Sequence, residues 1–348
     1  MYRPRPSTAP VTRSAFTIVE LLVTVGIIAL LAGLLLVGVG SARGAAQSRR
    51  EASNLRQLHM AWTLYADQAN GSILPGFIET KVQEAWKIRA KAPSKIPGSD
   101  SDRLPREVSQ SYPWRLMPCL DNAWDVMMDQ RPGEASAETV TAAAPWPEWP
   151  GSTAPDPLAS IAALPADMPG RTVALQPSFG YNAWHIGGVW RARTEGPARL
   201  ALGDARPAPA FAAALRLTPT APLGVVLQKI AATRLPDRLT LFCPSVVAPA
   251  GATLDQPRPD LAGAPIVSPP SLAGTRVWEA SATDEDALRT LAPQAVPARR
   301  SKSAIQRATI DGAVQSASVA ELADLRSWID LTAWPDGPQP GPVFEATP

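Results

Sequence analysis

From Phe16 to Gly40 almost every position is apolar, and Glu20 is the only ionisable side chain in the run. As a helix these ~25 residues would extend roughly 37 Å, enough to cross a ~30 Å hydrocarbon core. A carboxylate in such a segment costs a few kcal/mol in lipid unless something neutralises it. Past Ser41 the pattern becomes amphipathic. Leu55, Leu58, Trp62 and Tyr65 recur at helical spacing, Ala61, Ala66 and Ala69 add small neighbours, and Arg56, Gln57 and Asp67 fall off the stripe. Asn70-Gly71, followed by Pro75, is a stop signal. The pattern therefore predicts one helix from Phe16 to Ala69, roughly 80 Å long. Gly26, Gly33, Gly38 and Gly40 would allow another helix to approach closely.

Beyond Gly71 the pattern is less regular. It predicts a helix over Lys81–Lys91, a charged loop from Pro93 to Pro105, and an apolar stretch with turns over Trp114–Met128. Residues 132–170 and 244–275 read as Pro- and Ala-rich insertions. Short β-like runs occupy Thr172–Gln176, Ile186–Arg193, Leu223–Gln228 and Arg238–Cys243. A helix is expected over Asp284–Leu291, with Asp284, Glu285 and Asp286 complementing its dipole. Ala308–Ile310 and Ala313–Gln315 flank Asp311-Gly312 as a hairpin with a two-residue type I′ turn. Ser318-Val319-Ala320-Glu321 is a capping box opening a helix to about Leu331. The expected fold is α+β, a long N-terminal helix packed on an antiparallel sheet. The segments are 1–15, 16–40, 41–70, a globular part over 71–335, and a tail over 336–348.

Composition narrows the chemistry. There are 38 prolines, about twice ordinary usage, so much of the chain must be loop or extended structure. Eleven tryptophans still provide for a core built on large rings. A net charge of +2, with no basic stripe, gives no reason to expect nucleic acid. With two histidines, His59 and His185, histidine-based metal sites and Ser-His-Asp catalysis are nearly excluded, and both rings read as structural. No phosphate-binding glycine loop is present. No enzyme, cofactor or metal site is expected. Cys119 and Cys243 are compatible with one long-range disulfide or with two separate thiols.

The first 15 residues are basic, with Arg3, Arg5 and Arg13 and no acids. A secretory signal peptide has an apolar region of about 7–15 residues, shorter than this run, although the small residues around Ala45 keep a cut there open. Arg43, Arg49, Arg50 and Arg56 beyond the run balance the leading arginines, so charge counting does not orient the span.

The stretch Ala15-Phe16-Thr17-Ile18-Val19-Glu20-Leu21-Leu22-Val23 resembles the cleavage and methylation segment of type IV prepilins and type II secretion pseudopilins. Alanine stands at Ala15, where that family has glycine. The resemblance implies that a prepilin peptidase cuts between Ala15 and Phe16 and methylates the new amino group of Phe16. Glu20 would become the fifth residue of the mature chain, matching the family's glutamate. Phe16 would then carry a cation, and Glu20 of a neighbouring subunit can pair with it, setting register between helices. The alternative for Glu20 is a carboxylate that reaches for the interface, as in any signal anchor.

Asn54-Leu55-Arg56-Gln57-Leu58-His59, Tyr65-Ala66 and Asn70-Gly71 are similar to the helix of large prepilin-type proteins abundant in planctomycetes. Phe179–Trp184 and Pro236–Pro244 are similar to later segments of the same proteins, as is Asp311-Gly312. A histidine usually precedes that last pair; Ser301 stands there, so no role tied to it carries over. The resemblance implies a minor pilin or pseudopilin. It would be a single-pass inner-membrane protein with its C-terminal domain periplasmic or extracellular, assembled with other subunits into a type IV pilus or secretion pseudopilus. The competing expectation is an unassembled, membrane-anchored envelope binding protein.

Overall fold

The computed structural model describes residues 17–90, 104–121, 123–128, 171–190, 226–258, 261–272, 275–281, 286–291, 294–299 and 304–330. It is a mixed helix and antiparallel-sheet (α+β) structure. By its contacts the chain divides into two compact units, Met1–Ala46 and Gln47–Pro348. Helix α1, Ile18–Gln68, has residues in both.

In the second unit, the helical stripe read from the sequence is the buried one. Leu55, Leu58 and Trp62 are fully enclosed, Ala61 and Ala66 sit beside them, and Tyr65 packs at the edge. Arg56 and Asp67 are exposed. The unit boundary accordingly falls inside α1, ahead of this stripe, since these residues share a core with the sheet. The helix ends where expected. Asn70 and Gly71 both turn left-handed (φ 54° and 73°), and the Gly71 N–H reaches back to the Ala66 carbonyl at 2.8 Å. That is the Schellman closure of a helix C-terminus.

After α1 come β1 (Phe77–Ile78), α2 (Thr80–Ala85) and α3 (Tyr112–Leu116). Next are α4 (Arg171–Leu175), β2 (Phe179–Tyr181), β3 (Val189–Trp190) and β4 (Thr240–Ala248). Short strands follow: β5 (Thr253–Leu254), β6 (Ser271–Leu272), β7 (Thr275–Arg276), β8 (Trp278–Ala280), β9 (Leu288–Thr290) and β10 (Gln294–Pro297). The order closes with β11 (Ile305–Thr309), β12 (Val314–Ala317) and α5 (Val319–Ala323). The main sheet runs β10-β4-β11-β12, and β2 also pairs with β4, all antiparallel. A smaller antiparallel sheet has the order β5-β9-β8.

Strand β4 is the pivot. All nine of its residues are buried, the pattern of a strand covered on both faces. Leu241 and Phe242 join the cluster built on Leu55, Leu58, Trp62, Tyr112 and Tyr181. Cys243, Val246 and Ala248 join a second cluster built on Trp278, Val296, Trp328 and Ile329. Trp62, Trp278 and Trp328 are among the largest fully enclosed side chains, which explains how a proline-rich chain fills its core.

Several expected elements differ. Thr172–Gln176 was expected as a strand; Arg171–Leu175 is helical, since a short apolar run does not discriminate strand from helix by period. The helix expected over Asp284–Leu291 is instead strand β9, held between β8 and β5, and residues 282–285 lie outside the described part. The strand expected to stop at Cys243 continues through Pro244 to Ala248, so 244–275 is not simply a loop. Pro244 fits because its carbonyl accepts from the Ala298 N–H while its nitrogen has no proton to satisfy.

The helix expected to reach Lys91 stops at Ala85, where Lys87 turns left-handed (φ 56°). Among the described residues of Ile186–Arg193, Val189–Trp190 form a strand parallel to β1; 191–193 lie outside the described residues. Of Leu223–Gln228, Leu227 makes a single bridge to Ile186, and residues 223–225 are likewise outside.

At the chain's end, β11 and β12 form the expected hairpin, but Thr309 and Ala313 close a three-residue loop. Only Gly312 has positive φ (92°) there, so the turn is not type I′, which needs two such residues. The Ser318–Glu321 capping box is present, yet the helix ends at Ala323. Asp324 is extended and caps a separate 3-10 turn, Leu325–Ser327, accepting from the Arg326 N–H. Cys119 is partly exposed, Cys243 is fully buried, and both are free thiols, which closes the disulfide alternative.

Candidate processing and assembly segment

Of the residues assigned to processing and assembly, Ala15 and Phe16 lie outside the described part, as do Arg3, Arg5 and Arg13. Glu20 is described, and the start of α1 gives it a local task. Its carboxylate accepts from the Thr17 N–H and the Thr17 hydroxyl, both at 2.9 Å, while Thr17 Oγ1 accepts from the Glu20 N–H at 3.2 Å. This reciprocal pattern is a capping box, with threonine first and glutamate three residues on. The same Thr17-Ile18-Val19-Glu20 spacing is visible in the sequence. The carboxylate thus answers free donors at the helix start, where negative charge also suits the helix dipole.

Within this first unit α1 exposes apolar side chains all round. Ile18, Leu22, Leu30 and Leu35 are each about two-thirds or more exposed, and Val25, Ile27 and Leu31 about half. Among the described residues, no helix is long and apolar enough to cross a membrane. The span expected over Phe16–Gly40 includes Phe16 and the side chains of Leu34, Leu36 and Val37, which are not among those described.

In the second unit α1 is fixed by polar contacts that reach across the core. His59 Nε2 lies 2.9 Å from the Ile310 carbonyl, so that nitrogen carries the proton and donates. Trp62 Nε1 donates to the Tyr181 hydroxyl at 3.3 Å, and that hydroxyl donates to the Leu74 carbonyl at 2.8 Å. The Tyr112 hydroxyl donates to Phe179 O at 2.7 Å. Burial pushes the ionisation of both tyrosines up, leaving them neutral donors. It does the same for the Cys243 thiol, which keeps it unreactive.

Arg115 stands at the centre of a second set of contacts. Its guanidinium donates to the carbonyls of Ser109 (2.9 Å), Gln110 (2.7 Å) and Pro75. It thereby ties the loop after α1 to the entrance of α3. Burial lowers its ionisation to about 10, still charged at neutral pH. Nothing in the sequence around Arg115 marks this role, because its partners are main-chain oxygens. Asn182 is likewise hidden from sequence reading; its amide donates to Thr240 O and Trp328 O from a fully buried position.

His185 is buried in the turn after β2. Its N–H donates to Asn182 O, and its carbonyl accepts from the Leu227 N–H. The Asp311 carboxylate is used within its own loop, accepting from the Thr309 hydroxyl (2.5 Å) and the Ala313 N–H (3.1 Å). Ser301 and the acids at 284 and 285 are outside the described residues, and Asp286 pairs with Arg299 at 3.2 Å. Among the described residues no group of three or more His, Cys, Asp or Glu side chains is placed to hold a metal ion. No family model, no curated protein and no solved structure matches the chain.

Proposed function

We propose that this chain is a structural subunit, a minor pilin or pseudopilin-like protein. It is inserted in the inner membrane, cut after Ala15 by a prepilin peptidase, and assembled with other subunits through the first part of α1 into a pilus or secretion pseudopilus. The observation that carries this reading is helix α1 itself. Its 51 residues expose a band of Ile, Leu and Val over the first unit and pack a different stripe into an α+β core over the second. A band of that kind is suited to lipid or to the apolar surface of another protein, like helices included. The prepilin-like motif at Ala15–Glu20 supports the second occupant once the helix leaves the membrane.

The test is the mass of the mature N-terminus after co-expression with a prepilin peptidase. A start at N-methylated Phe16 supports the proposal. An intact Met1, or a cut near Ala45, would overturn it.

A second reading, an unassembled membrane-anchored envelope binding protein, draws on one observation. The Glu20 carboxylate is already satisfied by Thr17 of its own chain, so it needs no neighbouring subunit to be tolerated. Recovery of the processed chain solely as a membrane-bound monomer would favour that reading.

A further inference from the structure

Asn70-Gly71, the end of α1, is the sequence at which an asparagine side chain is most open to attack by the following main-chain nitrogen, because glycine offers no side-chain hindrance. In that reaction the deprotonated Gly71 nitrogen attacks Asn70 Cγ. A C–N bond forms, ammonia leaves, and water opens the resulting succinimide to aspartate or isoaspartate. Asn70 is exposed, so neither water nor base is excluded from it. Five contacts nevertheless oppose the reaction. The Gly71 N–H is engaged by Ala66 O at 2.8 Å. The Gly71 carbonyl accepts from the Ile230 N–H at 3.2 Å, and the Ile73 N–H donates to Gln228 O at 2.9 Å. Lys229 Nζ donates to Asn70 O at 3.1 Å and to Ser72 Oγ at 2.6 Å. The turn is therefore stapled to residues 228–230 from both sides, with its reactive nitrogen occupied.

We propose that Asn70 is a latent deamidation site, held inactive by this staple and released when the end of α1 opens. Opening needs only the local loss of a helix end, which costs far less than global unfolding. The product matters to the fold. Aspartate would place a negative charge at a helix C-terminus, where the dipole disfavours it. Isoaspartate would add a carbon to the main chain within the left-handed cap.

The experiment is incubation of the full chain at pH 9, followed by peptide mass mapping of Asn70 and enzymatic labelling of isoaspartate. The native protein is expected to modify Asn70 at least about tenfold more slowly than the urea-unfolded chain, as a protecting local structure of more than ~1.4 kcal/mol requires. Lys229→Ala should fall between the two, with its circular dichroism unchanged. Equal rates in native and unfolded protein would overturn the proposal, as would no modification of Asn70 in the unfolded chain. An unchanged rate in Lys229→Ala would overturn the role given to the staple.

Discussion

The imidazole of His59 packs against Gly312, the one position in the β11–β12 hairpin that has no side chain. A Cβ built on Gly312 would stand 2.8 Å from His59 Cε1 and 3.0 Å from Nδ1, while His59 Nε2 donates to Ile310 two residues earlier. Glycine is required there twice, for the positive φ of the loop and for the ring of α1 packed on it. Gly312→Ala is expected to destabilise the protein by about 1–3 kcal/mol in urea unfolding. Combining it with His59→Ala should recover part of that loss by removing the overlap; strict additivity would show that the ring does not set the constraint.

Arg115→Met keeps the length of the side chain and removes the three donated bonds to Ser109, Gln110 and Pro75. Leaving those carbonyls unanswered in a largely enclosed place predicts a loss of about 2–4 kcal/mol. Arg115→Lys should recover only part of it, because one ammonium does not reproduce a planar fork. Chemical denaturation of the two variants checks the ranking.

The capping box at Ser318 gives a pH dependence of known sign. The Ser318 N–H, and then its hydroxyl, hold the Glu321 carboxyl below the usual glutamate range. The folded state therefore binds this proton more weakly than the unfolded chain does. Its contribution is complete above the unfolded value, about pH 4.3, and is lost as pH falls through the lower folded value. Ser318→Ala should cost about 0.5–1 kcal/mol at pH 7 and proportionally less in acid. An equal cost at pH 7 and pH 3 would separate the cap from the carboxylate.

Thr17 and Glu20 allow the two roles of the carboxylate to be told apart. Thr17→Ala removes the in-chain donor hydroxyl but leaves the charge, and it is expected to leave fibre incorporation within about fivefold of wild type, since a cap contributes only ~1 kcal/mol. Glu20→Ala should leave membrane insertion intact and reduce incorporation strongly. Quantifying subunits in sheared fibres decides; equal losses in both variants would mean that helix capping is the whole role of Glu20.

The helix stripe Leu55–Tyr65, its Asn70-Gly71 end, and the Ser318–Glu321 box were legible because each depends on residues within a turn or two of one another. The Thr17–Glu20 box was present in the same local code, although the motif drew attention to a partner outside the chain. Thr172–Gln176 and Asp284–Leu291 differ from the expected elements for the converse reason. Their apolar residues are few enough to suit helix or strand, and the choice falls to what packs against them: α3 for the first, β8 and β5 for the second.

By itself the sequence determined that a long helix leads the chain, where that helix stops, and that its first part presents an apolar surface with one carboxylate. These follow from hydrophobic period and local hydrogen bonding, which need no distant neighbour. Only the tertiary structure decided that β4 runs through Pro244, that the last loop has three residues, that Arg115 serves three carbonyls, and that both cysteines stay free. The contacts of Pro244 with Ala298 and of Arg115 with Pro75 join partners far apart in the chain, and the loop, though local, closes through the main chain of Thr309 and Ala313; main-chain atoms of any residue type can complete such contacts and leave no mark in the sequence.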